Sequence, residues 1–166
     1  MLEAKELWEW QYITSEHDRG YLEGVLDCDG SLYITKHKGI RNPVYRPVVR
    51  VVNTNVELIK EVYRIIGGGG VSPCPNRSNF MVKSQRELKE LLHYYMNRED
   101  MWRVLPHLKL RIKDGQRQCL LLTMAILEET RRTKSKSDIE ALDEIYLECK
   151  RLNLKGKGSA VRTEVI

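Results

Sequence analysis

The chain has 166 residues, with 28 Lys and Arg against 23 Asp and Glu and a net charge of +5. That length suits one domain with a real core, and the basic excess suits an anionic partner such as nucleic acid. Its four cysteines, Cys28, Cys74, Cys119 and Cys149, are too scattered for zinc-ligand spacing or a disulfide framework, and its longest apolar runs are too short to span a bilayer. No secretory leader pattern is legible, so the expectation is a soluble intracellular protein with reduced thiols, in a prokaryotic cytoplasm or an organelle.

Residues 1–14 form an aromatic N-terminal arm carrying Trp8, Trp10 and Tyr12. Thr14 or Ser15 caps a first helix, with Glu16 and Asp18 in its first turn. Tyr21, Leu22, Val25 and Leu26 recur at helical spacing up to about Asp27. Two strands follow, at about 31–37 and 45–52, joined by a loop holding Lys38, Gly39, Arg41, Asn42 and Pro43. Alternation puts Leu32, Ile34 and Lys36 on one face and Tyr33, Thr35 and His37 on the other. In the second strand Pro47, Val49 and Val51 oppose Arg46, Val48 and Arg50. One apolar and one polar, basic face is the pattern of a sheet packed on helices from one side.

Thr54 or Asn55 opens a second helix, whose stripe is Leu58, Ile59, Val62, Ile65 and Ile66 and whose stop is the run from Gly67 to Gly70. Short strands are expected at about 71–75 and 78–83. Ser84 with Glu87 has capping-box spacing for a third helix with the apolar face Leu88, Leu91, Leu92 and Tyr95. Residues 101–110, with Pro106, read as a connection. A fourth helix is expected over about 115–130, then a basic loop containing Arg131, Arg132, Lys134 and Lys136. A last helix opens on Ser137 with Glu140 and ends near Leu152. The organisation is therefore an arm (1–14), one domain (15–152) and a basic tail (153–166).

The junction between the first helix and first strand carries the chemistry. Asp27 and Asp29 stand at the C-terminal end of a helix, where the dipole disfavours negative charge, and a divalent cation is one way to compensate them. An Asp- and Gly-rich turn is the plain structural alternative. Leu22-Glu23-Gly24-Val25-Leu26-Asp27-Cys28-Asp29-Gly30 resembles the LAGLIDADG motif of homing endonucleases and intron maturases. It departs from it at Glu23, where Ala is usual, and at Cys28, where a small residue is usual. The order helix, strand, strand, helix, strand, strand, helices extends the resemblance over about 15–152. It implies an α+β, αββαββα half-saddle: a curved antiparallel sheet backed by helices. No second copy of the motif occurs, and single-motif members of the family pair through the motif helices as homodimers.

The resemblance implies a set of roles. Asp29 is the carboxylate ligand of Mg2+ (or Mn2+), with the Cys28 backbone carbonyl as a second ligand. Asp27 ties down the helix end or the interface. Gly20 and Gly24, four apart on one helix face, allow two motif helices to cross closely, with Glu23 at the edge of that contact. Asn53 stands where a polar residue helps place the water or metal network; helix capping is its other reading. A basic residue near the phosphate is also implied, and the sequence alone leaves the choice between Arg111 and Lys113 open, with Lys109 a third option. On the polar sheet face Tyr33, Thr35, His37, Arg46, Arg50, Asn79, Met81 and Lys83 are candidates to read base edges in a major groove, and Arg41 to contact phosphate.

The expected function is a site-specific, intron-encoded, double-strand DNA endonuclease. Its partners are a long pseudo-palindromic DNA site and a second copy of the chain; no membrane is involved. An intron RNA maturase, or a DNA-binding protein that has lost its nuclease activity, is the alternative on the same fold.

Overall fold

The computed structural model describes residues 14–74, 91–130 and 134–155. They form helix α1 (Glu16–Cys28), strands β1 (Gly30–His37) and β2 (Val44–Asn53), helix α2 (Val56–Ile66), and strands β3 (Gly70–Cys74) and β4 (Leu91–Tyr95). Helix α3 (Arg98–Val104), a 3-10 turn (Leu105–His107), α4 (Asp114–Glu129) and α5 (Lys136–Lys155) follow. The four strands make one antiparallel sheet in the order β1-β2-β4-β3. This is the α+β arrangement expected from the sequence.

Of the two candidate caps of α1, Ser15 takes the role, its Oγ accepting the Asp18 N–H at 3.1 Å. The helix buries Leu22, Val25 and Leu26, an i, i+3, i+4 stripe, and each such side chain contributes about 1.5–3 kcal/mol when fully buried. Its last turn closes where the Asp29 N–H donates to the Val25 carbonyl at 2.8 Å. The turn into β1 is very tight. A Cβ at Gly30 would lie 2.5 Å from the Leu26 carbonyl oxygen and 2.8 Å from its Cα, so only glycine permits it.

The alternation of β1 and β2 holds. Leu32, Ile34, Val49 and Val51 are buried, together with Tyr45, while Arg46 is exposed and Tyr33, Thr35 and Arg50 are half-buried. Asn55 caps α2, accepting from Glu57 and Leu58, and Gly67 ends it at φ 73°, a left-handed conformation open to glycine. Helix α2 packs on α1, β3 and β4.

The sequence misleads at 91–95. Leu91, Leu92 and Tyr95 were expected on a helix; they lie on β4, between β2 and β3, with Val51 opposite Tyr94 and Arg50 opposite Tyr95. The same residues satisfy both periods, and the tertiary context decides. Tyr94 and Met96 point into the core at 0% and 4% exposure while Tyr95 stands at 47%, and as an interior strand β4 has ladders on both edges for its N–H and C=O groups. The expected strand at 78–83 and the box at Ser84 and Glu87 lie outside the described residues. So do the N-terminal aromatics and the 156–166 part of the tail.

Two further boundaries move. Part of the expected 101–110 connection is helical: Asn97 caps α3 through the Asp100 N–H at 2.8 Å, with Glu99 and Asp100 in the first turn. Pro106 falls inside the short 3-10 turn. The cap of α5 is Ser135 rather than Ser137. Ser135 and Asp138 form a reciprocal box, the Asp138 N–H donating to Ser135 Oγ at 3.1 Å and the Ser135 N–H donating to Asp138 Oδ2 at 2.7 Å.

The described residues divide into two compact units. Residues 14–32, 48–74 and 91–114 bury Leu22, Leu26, Leu32, Val49, Ile59, Ile66, Tyr94 and Leu105, among others; residues 33–47, 115–130 and 134–155 bury Ile34, Tyr45, Leu120, Met124, Leu142 and Cys149. No helix among the described residues is long and apolar enough to cross a membrane.

Candidate active site

The C-terminal end of α1 gathers four of the residues singled out above, all within the first unit. Asp29, exposed, accepts a hydrogen bond from Asn53 Nδ2 at 3.0 Å through Oδ2. Asn53 is held from its other end, its Oδ1 accepting the Asn55 N–H at 2.8 Å. That bond makes the amide nitrogen face Asp29. Asn53 thus joins the turn before α2 to the carboxylate, while the capping of α2 itself belongs to Asn55.

Lys113 closes the group. Its Nζ donates to the carbonyl oxygens of Leu26 (3.0 Å), Cys28 (3.3 Å) and Gly30 (2.7 Å). An ammonium has three donors and no acceptor, so this cluster of carbonyls at a helix C-terminus satisfies it fully and balances the negative end of the dipole. Burial pushes the Lys113 ammonium below the ordinary lysine range, against the opposing pull of Asp27, Cys28 and Asp29. Arg111 is exposed and contributes only a backbone N–H here, to Asp27. Lys109 likewise enters through its backbone.

Asp27 accepts main-chain N–H groups from Arg111 (2.8 Å), Ile112 (3.2 Å) and Lys113 (3.0 Å). Burial raises its carboxyl pKa, but the donors from Arg111, Lys113 and Ile112 outweigh that and hold it below the usual carboxylate range. Glu23, one turn earlier, accepts the Lys109 N–H at 2.7 Å. Both carboxylates are therefore engaged within the chain. Gly20 and Gly24 are exposed, and an added Cβ at either would meet nothing within 4 Å. Nothing among the described residues packs against them.

Of the residues expected to face nucleic acid, Tyr33, Thr35, His37, Arg41 and Arg46 lie in the second unit. His37, Arg41 and Arg46 are exposed, and His37 Nε2 is 3.1 Å from Thr35 Oγ1. Arg50 lies in the first unit; Asn79, Met81 and Lys83 lie outside the described residues. The strand at 91–95 brings two residues the sequence reading missed. His93 and Tyr95 share a sheet face with Arg50, with ring centroids 5.9 Å apart. Burial, and then the Arg50 guanidinium, hold the His93 imidazole below its ordinary range.

The second unit has its own polar cluster. Tyr45, 3% exposed, donates its hydroxyl to Asp143 at 2.6 Å. Lys36 pairs with the same Asp143 carboxylate and sits 5.6 Å from the Tyr45 ring centroid. Lys36 and then Tyr45 pull the Asp143 carboxyl below its usual range, while burial and then Asp143 push the Tyr45 phenol up to about 12. The separation of 98 residues between Tyr45 and Asp143 leaves no local signal in the sequence.

An α+β chain with a four-stranded antiparallel sheet and this helix end has the fold of the LAGLIDADG homing endonucleases. No protein-family model and no curated protein matches the chain, so the likeness is structural. It is similar to the archaeal intron-encoded homing endonuclease I-Vdi141I, solved in complex with DNA, at 14% identity and a TM-score of 0.68 over 82% of this chain and 84% of that one. Against the homing endonuclease I-CvuI, solved with the I-CreI target in the presence of magnesium, the values are 18%, 0.57 and 88% of both chains. The LAGLIDADG homing endonuclease I-GzeII, in complex with its DNA target, matches at 14% identity and a TM-score of 0.61 over 77% of this chain but 43% of that longer chain. At these identities the comparisons establish the fold.

Proposed function

We propose that this chain is a site-specific, metal-dependent DNA endonuclease acting as a homodimer. The observation that carries the reading is the convergence of Asp29, Asn53 and Lys113 at the end of α1 in a chain with the homing-endonuclease fold. That DNA accompanies both I-Vdi141I and I-CvuI, and magnesium the latter, supports the same assignment.

The donor set suits a hard divalent cation. Asp29 offers an exposed carboxylate and Cys28 a main-chain carbonyl, both oxygen. No cluster of three or more His, Cys, Asp or Glu side chains among the described residues could cage a metal. A cation that keeps most of its waters and shares phosphate oxygens needs no such cage, which fits Mg2+ (or Mn2+). Asp29 and the Cys28 carbonyl would hold it; when bound it supplies charge to the phosphate and lowers the pKa of an attacking water. Asn53 aims the Asp29 carboxylate. Lys113 presents a fixed positive charge where negative charge builds on the phosphate, a preorganised electrostatic contribution.

One carboxylate per chain accounts for one strand of DNA. A second copy, docked through the exposed Gly20 and Gly24 face of α1, brings a second Asp29 and makes double-strand cleavage of a pseudo-palindromic site possible. Arg46, His37 and Arg50 on the sheet read base edges, with His93 and Tyr95 beside Arg50, and Arg41 contacts phosphate. Mobility of an intron encoding the chain is the biological setting this chemistry serves.

The test is cleavage of DNA spanning the intronless insertion junction, in magnesium, by the intact chain and by Asp29→Asn. Cleavage by the first, none by the second and equal binding by both is the expected result. Tight junction binding with no cleavage by the intact chain would overturn the endonuclease reading.

A further inference from the structure

Residues 109–113 follow the 3-10 turn and belong to no helix or strand, yet four of their main-chain N–H groups are used. Lys109 donates to Glu23, and Arg111, Ile112 and Lys113 donate to Asp27. Leu108 and Leu110 are buried at 1% and 6%, so alternate side chains anchor the segment. The N–H groups of Lys109 and Arg111 reach carboxylates on α1.

The match has a geometric origin. Glu23 and Asp27 are four apart on a helix, an axial rise of about 6 Å. Lys109 and Arg111 are two residues apart, a separation that an extended chain would span with a rise of about 6.6 Å. Carboxylates one helical turn apart on α1 thus accept from N–H groups two residues apart, Glu23 from Lys109 and Asp27 from Arg111, and this pairing fixes the register of the segment along α1. At its end Lys113 is tied twice, by its N–H to Asp27 and by its Nζ to the carbonyls of Leu26, Cys28 and Gly30. The lysine stem is long and flexible. Fixing its main chain to the same helix turn that its head must reach removes most of that freedom.

We infer that Glu23 and Asp27 form a two-rung carboxylate clamp that sets the position of the Lys113 ammonium, and that Glu23 is thereby a positioning residue for phosphodiester cleavage. The inference rests on the endonuclease reading above for its catalytic consequence, but the clamp itself does not. Glu23 touches neither Asp29 nor Asn53 in any hydrogen bond of the site; it acts through Lys109 and the segment that leads to Lys113. The carboxylate that stands inside the motif, where the resembling family has Ala, is the acceptor of the Lys109 N–H.

The test pairs Glu23→Ala with Glu23→Gln, whose amide oxygen still accepts from Lys109, and reads both amide hydrogen exchange and single-turnover cleavage of pre-bound junction DNA. Glu23→Ala is expected to speed exchange at Lys109 by about tenfold or more and to slow cleavage by about ten- to a hundredfold, with DNA binding unchanged. Glu23→Gln is expected to stay within about threefold of the intact chain in cleavage and to keep Lys109 protected. An unchanged cleavage rate in Glu23→Ala, an equal loss in both variants, or a loss that appears in binding instead would each overturn the positioning role. If the intact chain cleaves nothing, the endonuclease reading fails, and Lys109 exchange in the two variants still decides the clamp. If Glu23→Ala does not fold, exchange in the intact chain decides it: a Lys109 amide exchanging at the rate of an open loop would overturn it.

Discussion

Lys113 Nζ lies 2.7 Å from the carbonyl oxygen of Gly30, 83 residues earlier in the chain. With the Leu26 and Cys28 carbonyls it makes a three-point seat for one ammonium at the end of α1. Arg111, two residues away, sends only its N–H toward this turn. If the seat places the phosphate-stabilising charge, Lys113→Met lowers single-turnover cleavage by about 10²–10³, the cost of one preorganised positive charge. Arg111→Met costs far less. Equal losses in the two variants would return the assignment to the open state in which the sequence leaves it.

Gly30 is the pivot of the same turn. A methyl group there would press on the carbonyl and Cα of Leu26, both backbone atoms that cannot swing aside. Gly30→Ala is therefore expected to destabilise the fold by at least ~1–3 kcal/mol, measured as a lower midpoint in urea with an unchanged slope. A variant as stable as the parent would mean that the helix end relaxes more freely than its geometry implies.

Gly20 and Gly24 should behave in the opposite way. Nothing among the described residues outside the helix's own backbone stands within 4 Å of an added Cβ, and alanine is the better helix former by up to about 1 kcal/mol. Alanine at either position is expected to leave the single chain as stable or more so. If the glycines serve the proposed crossing of two α1 helices, it should weaken self-association. Sedimentation velocity at matched concentrations reads the second effect and thermal unfolding of the dilute protein the first. A dimer undisturbed by both substitutions would move the interface elsewhere.

The Asp27 carboxyl has a folded pKa held below its ordinary 3.8, burial being outweighed by three N–H donors. The sign follows from linkage: a depressed acid stabilises the fold fully above the unfolded pKa, and that contribution is lost as pH falls through the folded one. The stability gap between the parent and Asp27→Asn should therefore be constant near neutrality and shrink below about pH 3.8. Urea titrations at stepped pH give the curve, and a gap independent of pH would show that the Asp27 charge is not what holds the segment.

Tyr45 is buried with its hydroxyl on Asp143. Tyr45→Phe keeps the ring and removes one hydrogen bond to a charged acceptor, at an expected cost of about 1.5–3 kcal/mol. Asp143→Asn should cost less, since the amide oxygen still accepts from the hydroxyl. Denaturation of the two variants beside the parent checks the order, and an equal cost would assign the effect to the Lys36 ion pair instead.

Much of the site could be read along the chain because its parts are local. The motif from Leu22 to Gly30 puts apolar residues on one side of a helix, ends that helix on carboxylates and supplies the glycine that the next turn requires. The narrowing of the caps to Thr14 or Ser15 and to Thr54 or Asn55, and the alternation from Leu32 to Val51, follow from the same short-range rules; the structure selects Ser15 and Asn55. The 91–95 segment misled because leucines and tyrosines at that spacing serve a helix stripe as well as a strand. Only the two neighbouring strands, each offering a ladder of hydrogen bonds, choose between them.

By itself, then, the sequence determined the helix-to-strand switch at Asp29, the one-sided sheet and the carboxylate at the helix end, since steric and periodic constraints act between near neighbours. The tertiary structure decided that Lys113 rather than Arg111 reaches that end, that Asn53 turns its amide to Asp29, and that Glu23 and Asp27 hold the 109–113 segment. Those contacts join residues 24 to 87 positions apart. No local rule links groups so far apart in sequence; they meet because burial of Leu22, Leu26, Leu108 and Leu110 fixes the two segments side by side, and the hydrogen bonds then select the register.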